Sequence, residues 1–426
     1  MQLVQGPATT MADSAQMRSV HPLTDMDDAE LPSGVTMAQG HSRPAWAEID
    51  LAAVTHNARV LAGLAAPAEL GAVVKAHGYG HGAPAVARAA LAGGAQRLAV
   101  ALVDEGVELR EHGIAGPVLL LSECGPGAVA TAIEYGLTPT LYSGEAIAAF
   151  AAGARAAGRR PSVHLKVDTG MHRVGAAPED FAALAEEIAR EPSLELEGVW
   201  THLPVADGEH EEDPVYTRDQ LDLFDRLLAD LAAAGIEAPL VHAANTAGTI
   251  AFPRSRYDMV RCGIGLYGYL PGESVQAAFG EQAVGEAMRP AMALKAQVVA
   301  VRELEAGERP SYGRLRPLPA RAVVATVPIG YADGVPRALF DAGYEVLIGG
   351  IRRPLAGMVT MDQIVIDCGN DDSVRPGDEV VLLGRQGDES ITADDWARML
   401  GTISYEVVCG VGPRMPRVLL HRSGGV

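Results

Sequence analysis

Aromatic residues are scarce in this chain, 5% of its 426 positions. Its interior must therefore be filled mainly by Ala, Val, Leu and Ile, and its many Ala and Gly residues suit helices packed closely on a parallel sheet. Cysteine is as sparse. Cys124, Cys262, Cys368 and Cys409 lie far apart, which excludes a CxxC or Cys/His framework for zinc. They read as four thiols of a reducing compartment, and no metal is expected. No apolar run reaches the ~18 residues of a transmembrane helix. The first 44 residues lack any aromatic and any apolar stretch of signal-peptide type. Positive charge is also short, with 34 Lys and Arg against 54 Asp and Glu, a net charge of −20. Such a surface repels phosphate backbones and anionic lipid, so neither nucleic acid nor membrane is expected as a partner. The location expected from these absences is the cytoplasm.

What is present has a rhythm. Apolar, β-branched runs at 71–75, 98–102, 117–121, 139–142, 162–168, 196–202, 240–243 and 259–266 end in polar or glycine residues. Helical spacing follows most of them, as at 181–191 and at 217–235, where Leu221, Phe224, Leu227, Leu228 and Leu231 share a face. Eight strand-then-helix units predict an α/β fold of the (β/α)8 TIM-barrel type. An open doubly wound sheet is the alternative, but it would carry a glycine-rich phosphate loop where this chain has Lys75. After about residue 291 the helices thin out. Runs at 293–301, 321–328, 344–348, 358–368 and 379–383, parted by Gly349-Gly350 and Pro376-Gly377-Asp378, predict a mostly β domain. A short helix at 392–400 opens on Thr392 with Asp394 and Asp395 behind it. The division expected is a disordered tail over 1–44, a barrel over 45–290 and a C-terminal β domain over 291–426. An internal Met is a possible true start, and the 46–50 segment is a candidate strand of the β domain.

The chemistry-bearing residues cluster at strand ends. A lone lysine there usually snorkels to solvent. Lys75, however, is followed by Ala76, His77, Gly78, Tyr79, Gly80, His81 and Gly82, the composition of a loop that touches a ligand. A desolvated lysine loses basicity and can form an imine with an aldehyde. In the segment 163–168, Val163, Leu165 and Val167 face one way and His164, Lys166 and Asp168 the other. The polar set must then face the barrel interior or its mouth, where charges need partners or a ligand. Arg173 follows shortly after. His202 closes the sixth strand, and His242, Asn245 and Thr246 stand after the seventh. Arg261 beside Gly263 and Ile264 suits an anion site, with two backbone N–H groups offered to phosphate. In the β domain Tyr312, Tyr331, Met361 and Tyr405 sit in short glycine- or serine-flanked segments.

Taken together these segments resemble the alanine racemase family from about residue 44 to the end of the chain. The resemblance implies pyridoxal 5'-phosphate as cofactor, carried by Lys75 as a Schiff base. Tyr79, His202, His242, Asn245, Thr246, Gly263, Ile264 and Tyr405 would bind it, and Arg261 would meet its pyridine nitrogen. Arg173, Tyr331 and the backbone of Met361 would bind the substrate. Lys166 matches a lysine that is carbamylated in many members and holds the arginine in place. Lys75 and Tyr312 would be two catalytic bases, lysine serving the D-isomer and tyrosine the L-isomer. The implied assembly is a head-to-tail homodimer in which Tyr312, Tyr331 and Met361 act in the other chain's site. The implied reaction interconverts L- and D-alanine, supplying D-alanine for peptidoglycan.

Five positions depart from the usual family pattern: His77-Gly78 for Asn-Ala, His172 for glycine, Thr246 for serine and Cys262 for proline. The rival readings are a broad-specificity racemase of the same family, a barrel decarboxylase and a non-catalytic pyridoxal-phosphate-binding barrel. The decarboxylase needs an acid where Arg261 stands. The non-catalytic barrel lacks the domain that bears Tyr312.

Overall fold

All eight expected strands form, all but the first shorter than their apolar runs. In the computed structural model, which describes residues 43–283 and 285–420, β1 (Ala45–Asp50) comes first and stands apart from them. The barrel strands are β2 (Glu69–Val73), β3 (Arg97–Val100), β4 (Val118–Leu120), β5 (Thr140–Leu141), β6 (Ser162–Lys166), β7 (Glu195–Trp200), β8 (Leu240–His242) and β9 (Met259–Cys262). They pair in parallel in the order β4-β3-β2-β9-β8-β7-β6-β5. A bridge from Leu119 to Thr138 brings the two edges together. The strands stop about two residues before the expected ends, so Lys75, Asp168 and His202 sit in the loops at the barrel's C-terminal mouth, where this architecture builds its sites.

The helix at Asp213–Ala233 buries Leu221, Phe224, Leu227 and Leu231, with Leu228 packed against the core. That stripe is what its 3.6-residue period demands. The barrel's core is aliphatic, with Leu70, Leu98, Val118, Val163, Leu165 and Val199 shielded from solvent. The segment proposed as a tail lies, but for its last two positions, outside the described residues.

The C-terminal part contains β10 (Met292–Gln297), β11 (Ala300–Leu304), β12 (Ala322–Val327), β13 (Glu345–Ile348), β14 (Ile351–Pro354), β15 (Ile364–Asp367), β16 (Glu379–Gln386), β17 (Glu389–Ile391) and β18 (Arg417–Leu420). One sheet runs β14-β13-β16-β10-β1-β18 with β17 on β16, and a second runs β11-β12-β15. β1 lies between β10, antiparallel, and β18, parallel. The helix at Ala393–Leu400 is capped by Thr392, whose hydroxyl accepts from the Asp395 N–H while Asp395 returns the bond. The expected strand over 358–368 is only half formed. Residues 358–363 are loop, held by Thr360 and Gln363 bonding to each other. A helix at Ser404–Cys409 had no clear signal in the sequence. Among the described residues no helix is long and apolar enough to cross a membrane.

Candidate active site

The turn after β2 is backbone-strained. Ala76, His77, Gly78 and Tyr79 all have φ between +51° and +62°, a left-handed turn that L-residues avoid. Gly78 is the residue best suited to it, and a side chain there would press on Ala83. Glu105 holds the turn's start, accepting from the Ala76 N–H at 2.6 Å and from the Ala101 and Leu102 N–H groups. The purpose of the strain is geometric: it turns Lys75 and Tyr79 onto one mouth. Burial and the charge of Arg173 lower the Lys75 pKa, so more of its amine is unprotonated and able to react near neutral pH than that of an exposed lysine.

Beside it, several groups converge as an anion cradle. Tyr79 is buried, stacked on Tyr267 at 4.7 Å and close to Tyr405, ring centres 6.2 Å apart. Tyr267 is fixed through its hydroxyl, which donates to the Val73 carbonyl. Burial raises the pKa of Tyr79 and Tyr405, so both keep their O–H as donors. The short helix at Ser404–Cys409 delivers Tyr405 from the same chain. A side chain at Gly80 would strike the Val408 carbonyl, and one at Gly263 would lie 2.3 Å from the Tyr79 hydroxyl. Thr246 Oγ1 accepts from the N–H groups of Gly263 and Gly265, which leaves its own proton for an incoming acceptor. The Gly263 N–H, expected to face phosphate, is thus turned to Thr246. Ile264 opens the next short turn, where first N–H groups have no partner within the turn. Asn245 spends its side chain on structure, accepting from Gly248 N–H as a helix cap and donating to the Leu203 carbonyl.

Arg261 is buried at the centre of the mouth. Its Nη2 reaches the carbonyls of Thr201 and Ala243 and His202 Nδ1, and its Nη1 reaches His242 Nδ1 at 2.7 Å. The Nε–H has no partner among the described residues and is a donor available to a ligand. The guanidinium also lies 4.4 Å from the centre of the Trp200 ring, and Lys166 Nζ lies 4.5 Å from it. Asp168 shapes the approach to Arg173, accepting from the N–H groups of Gly170, Met171 and His172. His172 takes φ 55°, the conformation its usual glycine favours, with its ring in solvent.

Lys75, Lys166, Arg173 and Arg261 therefore gather at one mouth of a chain whose net charge is −20. That concentration calls for anionic ligands. Phosphate fits the phenol and hydroxyl cradle, and a ring acceptor fits the free Arg261 donor. Pyridoxal phosphate has both, with an aldehyde for Lys75.

Burial, then Arg261 and Arg173, bring Lys166 from 10.5 down to about 7. Between those two values the unfolded chain binds more protons than the folded one, so this group makes stability rise with pH. In buffer free of carbon dioxide, the thermal midpoint should climb from pH 7 toward about 9. Lys166→Met should flatten that climb, and a variant with the parent's slope would refute the assignment.

The remaining expected residues lie elsewhere on the same chain. Tyr312, Tyr331 and Met361 are exposed, at 75%, 44% and 52%. Their loops interlock: Tyr331 N–H donates to Thr360 O, Ala332 N–H to Met361 O, and Ser311 Oγ to Met358 O. Asp333, which sequence reasoning missed, pins this patch. Fully buried, it accepts two bonds from Arg43, one from the Gly330 N–H, and faces Arg414 at 3.4 Å. The Gly-Tyr-Ala-Asp-Gly spacing was the available signal.

The chain was compared with known proteins. The family "Alanine racemase, N-terminal domain" matches residues 49–271, and "Alanine racemase, C-terminal domain" matches residues 291–419. An alanine racemase of Symbiobacterium thermophilum is 47% identical over 375 residues, 88% of this chain and 97% of that protein. The crystal structure of alanine racemase from Streptomyces lavendulae superposes with TM-score 0.81 at 38% identity, covering 91% of this chain and 98% of its own. A histidine racemase from Leuconostoc mesenteroides superposes with TM-score 0.80 at 31% identity, covering 89% and 99%.

Proposed function

The chain belongs to the alanine racemase family, and from that premise we propose that it interconverts L- and D-alanine in the cytoplasm, using pyridoxal phosphate held at the barrel mouth and supplying D-alanine for peptidoglycan. One observation carries the reading of the site. A lysine of lowered basicity, a cradle of phenol and hydroxyl donors, and a guanidinium whose Nε–H is free share the same mouth. Lys75 would hold the cofactor covalently, Tyr79, Tyr405 and Thr246 would hold its phosphate, and Arg261 Nε–H would face the ring nitrogen. Bound there, the cofactor supplies an electron sink that acidifies the substrate's Cα–H bond.

Arginine keeps its proton, so the ring nitrogen stays unprotonated and the sink weak, which disfavours transamination and decarboxylation. Lys75 Nζ takes or returns the proton on one face of Cα. Tyr312, with Tyr331 and Met361, belongs to the surface patch that completes a second copy's site in a head-to-tail homodimer. Its phenol serves the opposite face. Burial and neighbouring cations hold His202 neutral. Because His202 Nδ1 accepts from Arg261, its proton sits on Nε2, ready to be donated to a phenolate. Lys166, half deprotonated near neutrality, adds to carbon dioxide and releases one proton to solvent. The resulting carbamate holds Arg173 against the substrate carboxylate.

Borohydride treatment of the cofactor-loaded protein should fix the cofactor on the peptide containing Lys75. Racemisation should be fastest with alanine in a panel that includes serine and histidine. Labelling of another lysine would refute the site, and a preference for histidine would refute the substrate.

A further inference from the structure

Below the mouth, one unbroken line of side chains crosses the barrel interior. Arg261 on β9 donates through Nη1 to His242 Nδ1 on β8, 2.7 Å. His242 Nε2 meets His164 Nδ1 on β6 at 2.8 Å. His164 Nε2 meets Glu197 Oε2 on β7 at 3.1 Å. The other oxygen of Glu197 accepts from Arg97 Nη1 on β3, and Arg97 Nε donates to Glu69 on β2, both at 2.8 Å. Arg261, His242 and His164 are buried, while Glu197, Arg97 and Glu69 approach solvent near the strand beginnings. The line therefore joins the two ends of the barrel.

Its proton order has a single solution. A guanidinium only donates and a carboxylate only accepts. Glu197 therefore requires a proton on His164 Nε2. A neutral His164 then offers its Nδ1 lone pair, which requires a proton on His242 Nε2. His242 in turn offers the Nδ1 lone pair that receives Arg261. Reversing either ring would set an N–H of His242 against an N–H of Arg261, or leave Glu197 facing a lone pair. Both rings are held neutral by burial, so a doubly protonated form does not relieve the constraint. All three N–H bonds point from the mouth to Glu197.

We infer that Glu197 is a positioning residue for the chemistry at the mouth: acting through the tautomers of His164 and His242, it fixes the guanidinium of Arg261 so that its Nε–H stays free for a ligand. Arg97 and Glu69 hold Glu197 charged and in place. The inference rests on the reading of Arg261 as the group that faces the cofactor ring, but its proton order does not, and the two are tested separately.

The test uses the cofactor-loaded protein labelled with 15N-histidine, each signal assigned by His164→Gln and His242→Gln variants. In the parent protein at neutral pH, His164 and His242 should both carry the proton on Nε2 and a bare Nδ1. Glu197→Gln, whose amide oxygen still accepts, should keep both tautomers and most of kcat. Glu197→Leu should give a mixed tautomer population, weaker cofactor retention on dialysis and a kcat lower by roughly 10–100-fold, the range for lost supporting bonds. KM for alanine should hardly move, since Arg261 is not the carboxylate ligand. A proton on either Nδ1 in the parent would overturn the inference, and this result does not depend on any variant folding. So would a folded Glu197→Leu with parental tautomers and kcat. Mixed tautomers with unchanged kcat and cofactor retention would uphold the proton order but overturn both the positioning role and the assignment of Arg261 to the ring.

Discussion

Tyr312→Phe should lower exchange of the α-hydrogen of L-alanine with deuterated solvent by roughly 10²–10⁴-fold, the usual worth of a placed acid or base. D-alanine should still exchange, through Lys75. Racemisation removes a proton on one face of Cα and delivers one on the other, and one base cannot serve both without crossing the plane of the bound substrate. Lys75 is fixed on its side by the left-handed turn and Glu105. On the proposed mechanism the opposite face is left to the phenol, and phenylalanine removes only its oxygen. Tyr312 is largely exposed within its own chain, so the change leaves that chain's packing intact. Equal loss for both enantiomers, or survival of both, would show that the two bases do not divide the faces in this way.

Mixing two dead variants should restore activity. Lys75→Ala lacks the proposed base on the barrel and Tyr312→Phe lacks the proposed one on the β domain. If each site draws its lysine from one chain and its tyrosine from the other, half of a randomly reassociated equal mixture is heterodimer. One of the two sites in each heterodimer then has both residues intact. Activity should rise to about a quarter of the parent's, as expected of a two-fold dimer with shared sites. The check is the alanine racemisation rate after joint dissociation and reassociation of the purified variants. A mixture no more active than its components would place both bases within one chain.

The barrel was legible because its strands are continuous apolar runs ended by polar residues, and burial on both faces imposes that pattern. Their exact ends were not. Val74 and Val167 extend the pattern after the ladder has stopped, because the loops they begin are buried like the strands, whereas Leu102 extends it in sequence only and is exposed. The left-handed turn at 76–79 could not be read, since Ala76, His77 and Tyr79 carry no preference for positive φ and adopt it only under tertiary restraint. The loop at 358–363 read as strand from its Met-Val-Thr-Met composition, yet hydrogen bonds between Thr360 and Gln363 close it on itself.

Within the site, residues with unusual neighbours were found: Lys75 among glycines, Lys166 on an alternating strand, Arg261 beside Gly263. Residues that act through others were missed. Glu197 sits in Glu195, Leu196, Glu197, Gly198, a stretch that reads as ordinary solvent-facing polarity. Only the pairing of β7 with β6 places it under His164. Glu105 likewise reads as a helix-start acid, and only the fold turns its carboxylate to the Ala76 N–H.

The place of β1 has a consequence for how the chain is made. This strand leaves the ribosome ahead of the barrel, yet both neighbours that satisfy its backbone, β10 and β18, come after it. From Asp50 to Met292 is 242 residues (292 − 50), about 10–50 s of synthesis at ordinary rates. Throughout that interval the barrel can close while β1 waits, with both of its edges unpaired. Its sequence, Ala-Trp-Ala-Glu-Ile-Asp, interrupts the apolar positions with two carboxylates, the kind of charge that discourages a waiting strand from pairing with another nascent chain. The last described strand is thus also a clasp: only when β18 arrives does β1 acquire its second neighbour, and the first and last strands among the described residues are locked into one sheet.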